Sequence, residues 1–177
     1  MALDAATVES FTHGRLDSDD PETVRQLAAA VAAARRYCGW HVTPVTTNQS
    51  VTMDGPGNRI LALPTLQLGS VTSIREDGIT LNLADLQVSA RGVVLKTDGT
   101  FWTDKLGGIV AVFTHGYSAA PDFESAVFSS IERGAFSADT APRVIGPFQY
   151  AQSLEDRLQF SDAERAVLDF YRLEKQP

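Results

Sequence analysis

Between residues 21 and 38 apolar positions recur at steps of three and four. Val24, Leu27, Ala28, Val31, Ala34 and Cys38 share one side of a helical wheel, with Arg25, Gln26 and Arg36 elsewhere on it. That period predicts an amphipathic helix packed through this stripe. Asp20 is placed to cap it, Pro21 suits its first position, and Gly39 supplies a left-handed stop. The carboxylate-rich run at 17–22 (DSDDPE) then reads as a helix start, acidic side chains sitting near the positive end of the helix dipole, rather than as a cation site. A shorter helix is predicted ahead of it, with Asp4 as cap, Val8 and Phe11 three apart, and Gly14 at its end.

From Trp40 to Thr114 the period falls to two. Strands are predicted at 41–46, 49–53, 59–63, 70–76, 79–81, 87–90, 93–97 and 108–114, separated by Asp54-Gly55-Pro56-Gly57, Asp77-Gly78, Arg91-Gly92, Asp98-Gly99 and Gly107-Gly108. Asp77-Gly78 is the clearest hairpin turn. Many short strands joined by tight turns imply an antiparallel sheet or small sandwich. Helical spacing returns at 121–136, where Pro121 opens the helix and Phe123, Val127 and Ile131 make its stripe. Residues 137–159 read as irregular. Ser161, followed three residues later by Glu164, forms a capping box for a last helix, 161–174, whose expected apolar face is Ala163, Val167, Phe170 and Tyr171. The expected fold class is α+β: a single domain over 1–177, in which a small helical bundle (1–40 and 115–177) carries an antiparallel β insertion (41–114).

Charge and composition narrow the function. The chain of 177 residues has a formal charge of −7, the opposite of what gripping a nucleic-acid backbone requires. An acidic protein beside DNA repels it. Cys38 is the only cysteine, so neither an intrachain disulfide nor a cysteine-rich metal site is available, and its place on the apolar stripe predicts a buried, inert thiol. No apolar run approaches the ~20 residues of a membrane span, and MALDAATVESF does not resemble a signal peptide. Synthesis in a reducing cytoplasm is expected.

The stretch 109–127, IVAVFTHGYSAAPDFESAV, has the outline of a hydrolase nucleophile turn: strand, sharp turn with Ser118, helix. It lacks the second glycine of Gly-x-Ser-x-Gly, and its helix starts only at Pro121. The histidines, His13, His41 and His115, fall in no metal-binding pair. Asp54, Asp77 and Asp98 stand at or beside glycine turns, where aspartate serves turn geometry. Neither a phosphate-binding glycine loop nor interleaved aromatic and basic residues occur. His115, Gly116, Tyr117 and Pro121 therefore read as a structural turn.

Four stretches resemble one family: VESFTHGRL (8–16) leading into the 21–38 helix, RYCGWHVTP (36–44), VFTHGYSAAP (112–121), and GPFQY (146–150) before SDAERAVLDFYR (161–172). Together they are similar to the head-to-tail connector, or adaptor, proteins of long-tailed phages of the actinobacteriophage type. The resemblance implies a virion protein of the neck, made in the host cytoplasm, without cofactor, metal or catalytic residues. Its partners would be further copies of itself in a ring, commonly dodecameric; the portal above; and the next neck protein (a stopper) or a tail terminator below. DNA would pass through the lumen without sequence-specific binding, and no membrane is involved. On that reading Val167, Phe170, Tyr171, Arg172 and Leu173 are candidates for portal docking. Arg25, Ala29, Ala32 and Arg36 are candidates for the subunit interface. The alternatives are a head-completion (stopper) or tail-completion protein one layer down, a small hydrolase using Ser118 or Cys38 with a histidine, and a monomeric binding module with an acidic surface.

Overall fold

The structure is a computed structural model and describes residues 3–137, 144–145, 148–149 and 160–173. Most of the loop GPFQY and the end of the predicted last helix at residue 174 lie outside the described residues. The fold is α+β. Its contacts separate two compact units, a helical one drawn from Met1–Cys38 and Ala120–Arg172, and a β-rich one centred on Gly39–Ala119.

The helical unit contains α1 (Ala5–Phe11), α2 (Pro21–Cys38), α3 (Pro121–Ser137) and α4 (Asp162–Asp169), with a small ladder, Val144–Ile145 on Phe148–Gln149, between the last two in the chain. Local chemistry sets the helix starts. Asp4 accepts from Thr7 N–H at 2.8 Å, and Asp20 accepts from Glu22 N–H at 3.0 Å. Ser161 and Glu164 exchange both bonds of a capping box. α2 packs on α3, and α4 packs on both. Val8, Ala34, Cys38, Phe123, Val127, Phe128 and Leu168 are fully buried, and burying each large apolar side chain among them contributes roughly 1.5–3 kcal/mol.

The buried face of α2 keeps Leu27, Ala34 and Cys38 of the predicted stripe but is rotated at its N-terminal half. Thr23, Leu27, Ala30, Ala34 and Cys38 point inward, while Val24 is 49% exposed and Ala28 is exposed. In a helix this rich in alanine two overlapping stripes satisfy the helical period, and only the packing partner selects one. α3 buries more than its predicted stripe: Glu124, Ala126, Phe128 and Ser130 are inside as well. α4 is shorter than predicted, and it buries Glu164 and Leu168 while Ala163 and Phe170 are exposed.

The β-rich unit has two sheets. The larger, β1 (Thr46–Met53), β7 (Ile109–His115), β3 (Leu68–Glu76) and β4 (Ile79–Thr80), has the order β1-β7-β3-β4. The smaller consists of β2 (Ile60–Ala62), β6 (Val93–Lys96) and β5 (Leu86–Val88), in the order β2-β6-β5. All pairings are antiparallel. The side chains of Leu61, Leu63, Leu68, Ile74, Val94, Trp102, Ile109, Ala111 and Phe113 form the core. Asp77 and Gly78 both adopt positive φ, as the predicted hairpin demands.

The strand predicted at 49–53 starts earlier, at Thr46, as β1, whereas the strand predicted at 41–46 is, up to residue 45, a compact turn. Val42 sits at φ 60°, and Thr43 N–H donates to the His41 carbonyl at 2.8 Å, a γ-turn that no extended segment could contain. A 3₁₀ turn at Leu83–Asp85, unanticipated in the sequence, is capped by Asn82.

Candidate functional site

The chain around His115 folds into one corner of the β-rich unit. β7 alternates buried and half-buried residues down to His115, which is 3% exposed. His41 arrives from the γ-turn, and the two imidazoles stand edge to face with centroids 4.3 Å apart. Trp40 stacks on His115 at 6.0 Å and tilts against Tyr117 at 5.9 Å; Phe113 meets His115 edge-on at 4.6 Å. His41 Nε2 lies 2.7 Å from the Pro44 carbonyl, which can only accept, so this nitrogen carries a proton. His115 Nε2 faces Gln49 Oε1 at 2.6 Å, and its Nδ1 is buried without a hydrogen bond among the described residues. Burial, then the neighbouring His41, push the His115 pKa down to about 4.

Gly116 closes the corner at φ 112°. A Cβ there would come within 2.6 Å of His41 Nε2 and 2.7 Å of the Pro44 oxygen. Its N–H donates to the Gln67 carbonyl, and the Tyr117 N–H to that of Val42. His115, Gly116 and Tyr117 thus come together in this corner, while Pro121 is the exposed first residue of α3.

The corner is poor equipment for acyl transfer. Ser118 is exposed, and the Nε2 atoms of His41 and His115 are directed to Pro44 and Gln49. Cys38 is fully buried with Sγ 3.6 Å from the Leu168 carbonyl. Burial pushes its thiol up to about 12, leaving almost no thiolate for nucleophilic attack. No group of three or more metal-ligating side chains occurs among the described residues.

Surfaces are better candidates than chemistry. Of the residues considered for subunit contact, Arg25, Ala32 and Arg36 are exposed and Ala29 is half-buried. Arg25 is paired along its own helix with Glu22. Val24 and Ala28, assigned to the core by periodicity, join Ala32 on the exposed face instead. The C-terminal group divides similarly. Phe170 is 81% exposed. Tyr171 donates its hydroxyl to Asp122 at 2.5 Å and packs edge-on against Phe123 at 5.6 Å, while Arg172 lies over the Tyr37 ring at 5.4 Å. Val167 and Leu173 are half-buried. Phe170 alone combines size, apolarity and full access.

No protein-family model and no curated protein matches this chain. Solved structures do. The chain is similar in fold to a protein in the neck of a native gene transfer agent (GTA) particle computed with C12 symmetry, at TM-score 0.60 and 15% identity, covering 100% of this chain and 94% of that one. It is similar also to a chain in the neck of an empty GTA particle computed with C6 symmetry, at TM-score 0.59 and 16% identity, covering 98% and 90%. At these identities the likeness is one of fold, and it extends over both units.

Proposed function

We propose that this chain is a structural subunit of the neck of a phage-like particle. It assembles as a closed ring, twelve-membered, beneath the portal, extends the DNA exit channel and connects head to tail as an adaptor. The observation that carries the reading is the whole-chain likeness in fold to a protein of a particle neck. Other features are consistent with it. A net charge of −7 suits a lumen through which DNA slides without being held. The exposed small residues of α2 permit close approach of a neighbour, and Phe170 offers an apolar anchor for the portal. A ring subunit requires no catalytic residue or cofactor.

Negative-stain images of the purified protein, alone and mixed with its portal, test the proposal. Closed rings, free or seated on the portal, are expected. A protein that remains monomeric with portal present would overturn it, and rings that bind beneath a separate adaptor would move it one layer down, to the stopper.

A further inference from the structure

We infer that the larger sheet continues from copy to copy: β1 of one subunit adds alongside the open stretch of β3, residues 69–73, of the next. This rests on the ring reading above and names the surface that would close the ring.

Among the described residues the sheet order leaves β1 with a single neighbour, β7. Its eight residues, TTNQSVTM, include no charge and no proline, and Thr47, Asn48, Gln49, Ser50 and Thr52 are all exposed. Soluble proteins normally blunt such an edge by shortness, charge, proline or a covering segment, because its unpaired N–H and C=O groups recruit another strand. The other outer strands of this unit are short: two residues in β4, three each in β2 and β5. β1 is longer; its own irregularity is a bulge between Thr46 and Gln49, with Asn48 at φ 50°, which leaves residues 49–53 as the regular part of this edge.

A second open edge lies on the opposite flank. β4 pairs only with Arg75 and Glu76 of β3, Leu81 N–H reaches Ile74, and Leu68 N–H reaches Ala90. Between these contacts, residues 69–73 (GSVTS) have no second strand beside them among the described residues, and they too are uncharged.

A rotational ring needs two different, mutually complementary patches on each subunit. Here one sheet presents two open edges on opposite sides. β1 and β3 both run antiparallel to β7, hence parallel to each other. Rotation about an axis roughly along the strands preserves that direction, so the junction is a short parallel ladder held by main-chain hydrogen bonds and interrupted where β3 bulges, between Leu68 and Ser70 and between Val71 and Ser73. Thr72 Oγ1 donates to Asn48 Oδ1 at 2.7 Å across β7, which keeps the two edges in fixed mutual register.

Cysteine pairs test the inference in the full-length protein, with Ser50→Cys combined with Ser70→Cys or with Thr72→Cys. Under mild oxidation at least one pair should give a ladder of covalent multimers, while each single variant gives none. Single Ser50→Cys protein forming covalent dimers would mean β1 pairs with itself, and overturns the inference. Rings persisting by negative stain without a ladder from either pair overturn it while the ring reading stands. Absence of rings from the unmodified protein, with portal present, overturns both. In parallel, Ser50→Lys with Thr52→Lys, both at exposed positions, should leave the melting curve of the subunit unchanged and reduce ring yield at least tenfold. Undiminished rings would count against the edge contact.

Discussion

His41 and His115 hold their rings 4.3 Å apart, edge to face, yet direct their Nε2 atoms to different acceptors, Pro44 and Gln49. The pair therefore works as packing, with each imidazole pinned by its own hydrogen bond. A second proton on His115 would be buried beside His41. Its folded pKa, about 4, lies below the ordinary value near 6.5. Between those values the unfolded chain binds the extra proton and the folded chain does not. Stability is full above pH 6.5 and falls as the pH drops toward 4, by roughly 2–3 kcal/mol from this residue. Urea midpoints measured from pH 7.5 to pH 4 should show that decline, and His115→Gln should flatten it.

Gly116→Ala should be among the most damaging small substitutions. Its φ of 112° is hostile to a side chain, and the added carbon meets His41 and Pro44 at under 3 Å. A cost of about 3 kcal/mol or more is expected, read as a lowered denaturant midpoint. Gly78→Ala has open space around it; its φ of 84° limits the expected cost to about 1 kcal/mol.

Arg133 and Glu164 join α3 to α4 through two parallel bonds of 2.7 Å, and Glu164 also closes the capping box with Ser161. Burial alone would raise the Glu164 pKa; the Arg133 guanidinium and the Ser161 N–H outweigh it, and the net shift is downward. This contribution is present above the ordinary glutamate range and lost as the pH falls below it. Glu164→Ala removes both bonds to Arg133 and one half of the capping box and should cost about 2 kcal/mol. Amide exchange across α4 should accelerate in the variant, while that of β7 does not.

Cys38 should be unreactive in the folded protein. With the thiol pushed up to about 12 and no solvent access, a thiol-specific chromogen should react at the rate of unfolding. Denaturant should release one equivalent at once.

On the proposed portal-docking role, Phe170→Ser separates docking from folding. The side chain is 81% exposed, so the melting temperature should change little. Binding to portal, measured by cosedimentation, should weaken at least tenfold. Removing residues 161–177 is a less clean experiment, because Glu164 and Tyr171 are tied to α3 and their loss would disturb the helical unit.

The fold class, the order of the helices and several element boundaries were determined by the sequence alone, because they rest on local physics; the ladder of Val144–Ile145 on Phe148–Gln149, in a stretch read as irregular, was not. Asp4, Asp20 and the Ser161–Glu164 box satisfy helix ends wherever those helices pack, Pro21 and Pro121 open helices by their fixed φ, and Asp77-Gly78 can hardly be anything but a tight turn. The stripe of α3, Phe123, Val127 and Ile131, was legible too, but only tertiary structure decided between competing faces of α2 and α4. Alanine is small enough to lie on either side of α2, so only the presence of α3 distinguished Leu27 and Ala30, inside, from Val24 and Ala28, outside. The period of α4 likewise pointed to Phe170 as core, whereas Glu164, drawn in by Arg133, occupies the buried side. The corner at His115 was legible as a turn from Gly116, but not its partner His41. Their meeting depends on a γ-turn at Val42 and on the pairing of β1 with β7, from Met53 with Ile109 to Thr46 with His115, contacts so distant along the chain that no local pattern encodes them. For the same reason the open edges of β1 and β3 became visible only once the strand order was known.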